Sequence, residues 1–435
     1  MTKQMKNSGV KWIGQIPYDW EICRIKNVAN LFTGNSIKDD EKAAYEDATN
    51  ARPYIATKDV DATLKTVNYE NGMYIKMNDD NFKVAPAHST LMCIEGGSAG
   101  KKKAQIGKEV SFVNKLCCFA PKFCVPAYLY YFLCNPGFED EFARNISGLI
   151  GGVSVSVLQN FAMILPPESE QQRISDYLEA KCTHINAIIE QTQASIEEYK
   201  KFRQTAITQA VMRGIYGCRQ MKDSGAEWIG EIPEEWEVFR VATLYEERKE
   251  NGNEELPILT VSINTGVSDR ELSDEESERV FVRSEDRSKY MRVYPGDLTY
   301  NMMRAWQGAF GAVRVDGMVS PAYVIVKPRR EIDNRYMEAL LRTQPAKEEM
   351  KRYSHGVADF RLRLYWDKFR TIKVCFPPIE EQREIADYID RKCAEIDALI
   401  AKKEQFLTEL ENYKKSMIYE YVTGKKEVPR NAAEN

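Results

Sequence analysis

The chain has 435 residues, 43% hydrophobic and 29% charged, which is enough for two or three folded domains and excludes a disordered polymer. A net charge of −4 excludes a uniformly basic coat but leaves room for a local basic face. With no run of about 18 apolar residues and a polar start at Met1–Lys6, neither a membrane span nor a secretory leader is expected. The chain reads as cytoplasmic.

It opens on a frame, Met5-Lys6-Asn7-Ser8-Gly9, Trp12-Ile13-Gly14-Gln15-Ile16-Pro17 and Trp20-Glu21. The tryptophans are expected to be buried packing aromatics. Ser89–Ile94 reads as a strand, Glu95–Gly100 as a turn, and Lys101-Lys102-Lys103 follow. That turn superficially resembles a phosphate loop, but Glu95 stands where the motif needs Gly and Lys102 where it needs Ser or Thr. Tyr128–Leu133 has a helical pattern.

Next comes Leu165-Pro166-Pro167 with Glu170-Gln171 and Asp176-Tyr177-Leu178, which opens a long helix. Proline suits a helix start because the first turn leaves its N–H groups unpaired anyway. Ser169 and Gln172 could form a capping box. Ile174, Leu178, Ile185, Ile189, Ile196, Tyr199, Phe202, Ala206 and Val211 supply the apolar stripe, and Gly214 ends it.

The second half repeats the frames. Met221-Lys222-Asp223-Ser224-Gly225 leads to Trp228-Ile229-Gly230-Glu231-Ile232-Pro233 and Trp236-Glu237. Pro295–Tyr300 takes the place of the Ser89 strand, followed by Asn301-Met302-Met303-Arg304-Ala305-Trp306-Gln307-Gly308; Tyr336–Leu341 parallels Tyr128–Leu133. Phe376-Pro377-Pro378 with Glu381-Gln382 and Asp387-Tyr388-Ile389 opens a second long helix, striped by Ile385, Ile389, Ile396, Leu399, Phe406, Leu410, Met417 and Tyr421 and closed at Gly424.

A whole unit has therefore been duplicated. The expected fold is α+β: two similar globular domains joined by two long antiparallel helices in a coiled coil, with an internal pseudo-two-fold. The expected boundaries are a first domain at 1–165, a central helix at 166–214, a second domain at 221–376, a C-terminal helix at 377–424 and a polar tail at 425–435. Helices of about 40 to 45 residues would be rods of about 60 to 70 Å. Two broken helices, each packed on its own domain, are the alternative.

Ten scattered cysteines without a Cys-x-x-Cys pair, and only His88, His184 and His355, read as reduced core thiols with no structural metal. Cys182 and Cys393 occupy matching helix positions and suit the coil. The Asn/Asp-Pro-Pro-Tyr/Phe signature of an amino-methyltransferase is missing, and three histidines leave little for a nucleophilic triad, so no catalytic residues and no cofactor are assigned. The Glu-Gln pairs fit either helix-start contacts or a partner surface.

The positive signal is basic and aromatic residues in Gly-rich loops. Lys101, Lys102, Lys103 and Lys115 in the first domain, with Arg304, Trp306, Gln307, Arg361 and Arg363 in the second, are candidate DNA contacts. Arg suits guanine and Gln suits adenine in bidentate contacts, whereas Lys serves mainly phosphate. A solvated surface charge is the competing reading for each, and Arg361 and Arg363 alternate with Leu362 and Leu364 as on one face of any strand.

Trp-x-Gly-x-Ile-Pro-x-x-Trp at 12–20 and 228–236, with Pro-Pro-x-x-Glu-Gln at 166–171 and Pro-Pro-x-Glu-Glu-Gln at 377–382, resembles the specificity subunit of type I restriction-modification enzymes. Met212-Arg213-Gly214 departs from the more usual Val-Thr-Gly seen at Val422-Thr423-Gly424. The resemblance implies two target-recognition domains, each reading half of a bipartite target in double-stranded DNA. It also implies two methyltransferase subunits on the helices and optional recruitment of two restriction subunits. S-adenosylmethionine, the flipped adenine and ATP would belong to those partners. Unlike loops imply an asymmetric target. A coiled-coil scaffold that does not read DNA and a stand-alone DNA-modifying enzyme are the alternatives.

Overall fold

The computed structural model describes residues 4–63, 65–148, 151–253, 255–271, 289–356 and 362–429. The chain divides into two compact units, Met1–Gln193 with Glu404–Asn435, and Ala194–Lys403. A central helix, Glu168–Arg213, and a C-terminal helix, Ile379–Val422, are each unbroken over 46 and 44 residues. Each unit thus holds the start of one long helix and the end of the other.

In the first unit the frame folds as a hairpin, Met5–Asn7 with Gln15–Pro17, and Glu21–Arg24 pairs with Ala162–Leu165 just before the Pro-Pro turn. A four-stranded sheet runs Ala29–Thr33, Leu116–Pro121, Thr90–Cys93, Lys103–Gln105, and a second runs Tyr74–Lys76, Ala51–Ile55, Val110–Phe112, Val84–Ala85. Trp20, Phe119, Tyr128 and Phe138 share a core with Ile174, Leu178 and Ile185 of the central helix and Met417, Tyr421 and Val422 of the C-terminal one. Within this unit the helices pair antiparallel: the Tyr177 and Tyr421 rings are 4.7 Å apart, and Lys414 Nζ donates to Asn186 Oδ1 at 2.6 Å.

The second unit repeats the plan. Its hairpin is Met221–Asp223 with Glu231–Pro233, and Glu237–Arg240 pairs with Lys373–Phe376. Its four-stranded sheet runs Tyr245–Glu247, Tyr323–Pro328, Leu298–Asn301, Phe310–Ala312. Trp236, Tyr300, Phe310 and Tyr336 pack with Val211 of the central helix and Ile385 of the C-terminal one. Arg203 pairs with Asp397 at 3.2 Å and Lys403 lies over the Tyr199 ring, again an antiparallel register.

The repeated residues perform repeated jobs. Tyr128 Oη donates to the carbonyls of Ile164 and Val422, and Tyr336 Oη to those of Cys375 and Val211, so each tyrosine ties the strand before a Pro-Pro turn to the last turn of the other helix. Gln171 donates to the Pro166 carbonyl and accepts from the Val125 N–H; Gln382 does the same with Pro377 and Asp333. The glutamine of each Glu-Gln pair is therefore a helix-start clamp. Trp236 Nε1 donates to Glu381 Oε2 at 2.9 Å, so the second glutamate anchors the frame tryptophan. Trp20 and Trp236 are buried, whereas Trp12 and Trp228 are half-buried. At Gly424, φ is +68° and an added Cβ would stand 2.5 Å from Pro17 Cδ, so glycine alone lets the helix end meet the frame.

Two details differ from expectation. Ser169 lies inside the helix and Gln172 donates to Asp176 Oδ1, so no capping box forms there. Phe202, Leu399 and Phe406 are exposed rather than in the stripe. Phe202 lies six residues past Ile196, well off the line that a period of 3.6 keeps facing inward.

Candidate nucleic-acid interface

Both units present a turn between the third and fourth strands of the main sheet. In the first unit this turn, residues 94–102, is closed by Gly100 N–H on the Cys93 carbonyl and Cys93 N–H on the Lys102 carbonyl, both at 2.8 Å. A neighbouring segment supports it: Gly96 N–H reaches the Gly151 carbonyl at 2.8 Å, and Val153 N–H reaches the Ile94 carbonyl at 3.0 Å. Gly100, at φ +74°, sits where a Cβ would press to 2.7 Å on the Phe142 ring. Lys65 Nζ donates to the Lys101 carbonyl at 3.0 Å, and burial lowers its pKa. Behind the turn lies a cavity of about 730 Å³, lined among others by Lys65, Lys101, Phe142, Glu179 and Lys414.

Of the four candidate lysines here, Lys101 and Lys115 are exposed, and the Lys115 carbonyl accepts from Ile94 N–H at the base of the turn. Lys102 is half-buried with Nζ on the Thr57 carbonyl at 3.0 Å. Lys103 is a correction: its side chain is 0% exposed, donating to the Leu133 carbonyl at 2.8 Å and to Glu139 Oε1 at 2.7 Å. The run of three lysines enters a strand at Lys103, and the third points inward, where a helix C-terminal carbonyl and a carboxylate satisfy its charge. It has no surface to offer a phosphate.

The equivalent turn of the second unit, residues 302–309, is built differently. Asn301, buried, accepts Met303 N–H on Oδ1 at 3.0 Å, and Trp306 Nε1 donates to the Met303 carbonyl at 3.2 Å. A short 3-10 turn, Ala305–Gln307, ends at Gly308 with φ +92°, where a Cβ would lie 2.6 Å from Lys347 Cε. Leu364 N–H reaches the Met302 carbonyl at 2.9 Å, the counterpart of Val153 and Ile94. Arg363, between buried Leu362 and Leu364, is exposed beside the turn, and its backbone pairs with His355. Arg304 and Gln307 are half-exposed on the turn itself, and Lys351 Nζ lies 5.4 Å from the half-buried Trp306 ring. The structure thus brings Arg304, Trp306, Gln307 and Arg363 together; Arg361 lies outside the described residues. Lys65 and Met303 were not singled out in sequence, since a lysine in a distant hairpin and a methionine beside an arginine carry no motif.

Burial pushes the Cys118, Cys182 and Cys375 thiols up to about 12, so they stay protonated at neutral pH. Among the described residues no group of three or more His, Cys, Asp and Glu could hold a metal ion, and no helix is long and apolar enough to cross a membrane.

Comparison with known proteins agrees with this architecture. The family profile for the type I restriction modification DNA specificity domain matches residues 17–198. The type I restriction enzyme MjaVIII specificity subunit of Methanocaldococcus jannaschii is 24% identical over 94% of this chain and 94% of its own. The putative MjaX specificity subunit of the same organism is 25% identical over 69% of this chain and 68% of its own. Among solved structures, a chain from a study of complex assembly and conformational transition of the type I R-M system aligns over 94% of this chain and 99% of its own, with TM-score 0.66 and 14% identity. The HsdS subunit from Thermoanaerobacter tengcongensis aligns over 94% and 98%, with TM-score 0.51 and 16% identity. Both share the fold. With frames repeated in order and a specificity-subunit relative matched almost end to end, the chain is similar to type I restriction-modification specificity subunits, and its residues 17–198 match the DNA specificity domain of that family.

Proposed function

We propose that this chain is the sequence-specific DNA-binding specificity subunit of a type I restriction-modification complex and carries no catalytic centre of its own. Each recognition unit reads one half of a bipartite, asymmetric target in double-stranded DNA, and the long helices set the spacing of the halves. The observation that carries this reading is one scaffold bearing two unlike turns: Arg304 and Gln307 on the second with Arg363 beside it, Lys101 on the first with Lys115 at its base. Arg and Gln can make bidentate contacts to guanine and adenine edges, while lysines grip phosphate. Lys102 contributes only through what its bond to Thr57 leaves free.

Two methyltransferase subunits are the expected partners, with two restriction subunits as an optional addition. Phe202 and Tyr413 support docking on the helices, because they occupy matching positions after the two Glu-Gln clamps and expose 52% and 60% of their surface. S-adenosylmethionine and ATP chemistry would reside on those partners, and a cytoplasmic location follows from the DNA substrate. The test is selection of bound duplexes from a random library by the purified complex with its methyltransferase. Recovery of a split, asymmetric motif supports the reading; recovery of random sequence, with the complex intact, overturns it in favour of a scaffold.

A further inference from the structure

In the second unit two exposed apolar side chains are borne by adjoining segments at the turn. Met303 and Tyr365 each leave 42% of their surface open. The backbone bond from Leu364 N–H to the Met302 carbonyl sets the segments bearing them side by side. Met303 is held at both ends of its own residue, its N–H on Asn301 Oδ1 and its carbonyl under Trp306 Nε1. Tyr365 is fixed as the cap of the helix Trp366–Phe369, its carbonyl accepting from Lys368 and Phe369. Rigid backbone beneath a projecting apolar side chain is a preorganised contact, and ordering entropy has been removed before any ligand arrives.

Counting from the equivalent strands Thr90–Cys93 and Leu298–Asn301, and from the matching Val153 and Leu364 bonds, Met303 stands where the first unit has Glu95 and Tyr365 where it has Ser154. Arg304 and Arg363 stand where the first unit has Gly96 and Gly152. At these matched places the second unit thus carries two arginines and two exposed apolar side chains where the first has two glycines, a glutamate and a serine. Cations flanking an apolar pair fit the major groove of DNA, whose one apolar base-edge feature is the thymine C5-methyl group.

We propose that Met303 and Tyr365 form an apolar reading pair that recognises the C5-methyl of a thymine in the second half-site, with Arg304 and Arg363 holding the adjoining bases and phosphates. This rests on the DNA-reading function proposed above and assigns it a base class. The first unit, with Glu95 and Ser154, offers no apolar side chain at these two places.

The test uses the assembled complex with its methyltransferase and a duplex carrying the selected motif, in which each thymine is replaced singly by deoxyuridine, removing only the methyl. Loss of one buried methyl predicts weakening on the order of 3- to 5-fold at one position of the second half-site. Met303→Ala and Tyr365→Ala should abolish that sensitivity while leaving the first half-site's base preferences unchanged, which also shows that the variants fold. Binding that is sequence-specific but indifferent to every uridine, or a second half-site without thymine, overturns the methyl reading and leaves the DNA-reading function standing. No sequence-specific binding at all overturns the function itself.

Discussion

The two turns differ most where the two frames agree most. Around residues 94–102, glycines at 96, 97, 100, 151 and 152 let backbone lie on backbone, and the cations Lys101 and Lys115 stand at the margins. Around residues 302–309, the same strand pair and supporting bond carry Arg304, Trp306 and Gln307 on the turn and Arg363 beside it. Beneath both, Tyr128 and Tyr336, and Gln171 and Gln382, make the same bonds to equivalent carbonyls. A fold that keeps its fasteners and varies its turns can change its ligand without altering its partners.

If the frame is common property, breaking it should harm both halves. Ile189→Pro or Ile396→Pro removes a helix hydrogen bond in a buried stripe and should cost about 3 kcal/mol or more, lowering the melting temperature and abolishing reading of both half-sites. Thermal unfolding followed by duplex selection checks this; retention of either half-site would show that the helices are not shared scaffolding.

The turns should separate where the frame does not. Arg304→Ala should cost about 1 to 3 kcal/mol at the second half-site alone, relaxing its base preference and sparing the first. Competition with single-base variants of each half measures it. Tyr128→Phe and Tyr336→Phe should then be matched controls: each deletes a buried hydroxyl spanning two carbonyls, for about 1 to 2 kcal/mol of stability apiece by denaturant titration. A large inequality between them would break the equivalence of the units.

The smallest effect is expected at the first turn. Lys101→Ala should weaken binding almost equally for all sequences and reduce the salt dependence by about one counterion. Lys103→Ala should instead lower stability and leave the salt slope unchanged, because that ammonium is spent on Leu133 and Glu139.

Much of the scaffold was legible because it is periodic or repeated. The stripes through Ile174, Leu178 and Ile189, and through Ile385 and Ile396, placed the helices; the strand read at Ser89–Ile94 is Thr90–Cys93, and the segment Pro295–Tyr300 set in the same place overlaps its counterpart Leu298–Asn301. What stayed hidden depends on side-chain direction over one or two residues. A Lys-Lys-Lys run does not announce that its third member points into the core, nor does a list of apolar positions reveal that Phe202 and Phe406 have drifted to solvent. Met303 escaped because its significance lies in Asn301 and Trp306 fastening its backbone, a contact no spacing encodes.

The most direct test is modified-base sequencing of genomic DNA from cells carrying this gene with its methyltransferase gene, compared with cells lacking this gene and cells carrying Arg304→Ala. The account predicts a split, asymmetric methyladenine motif that vanishes in the deletion and is relaxed in only one half by the substitution. Methylation indifferent to the deletion, or a substitution that relaxes both halves equally, would contradict it.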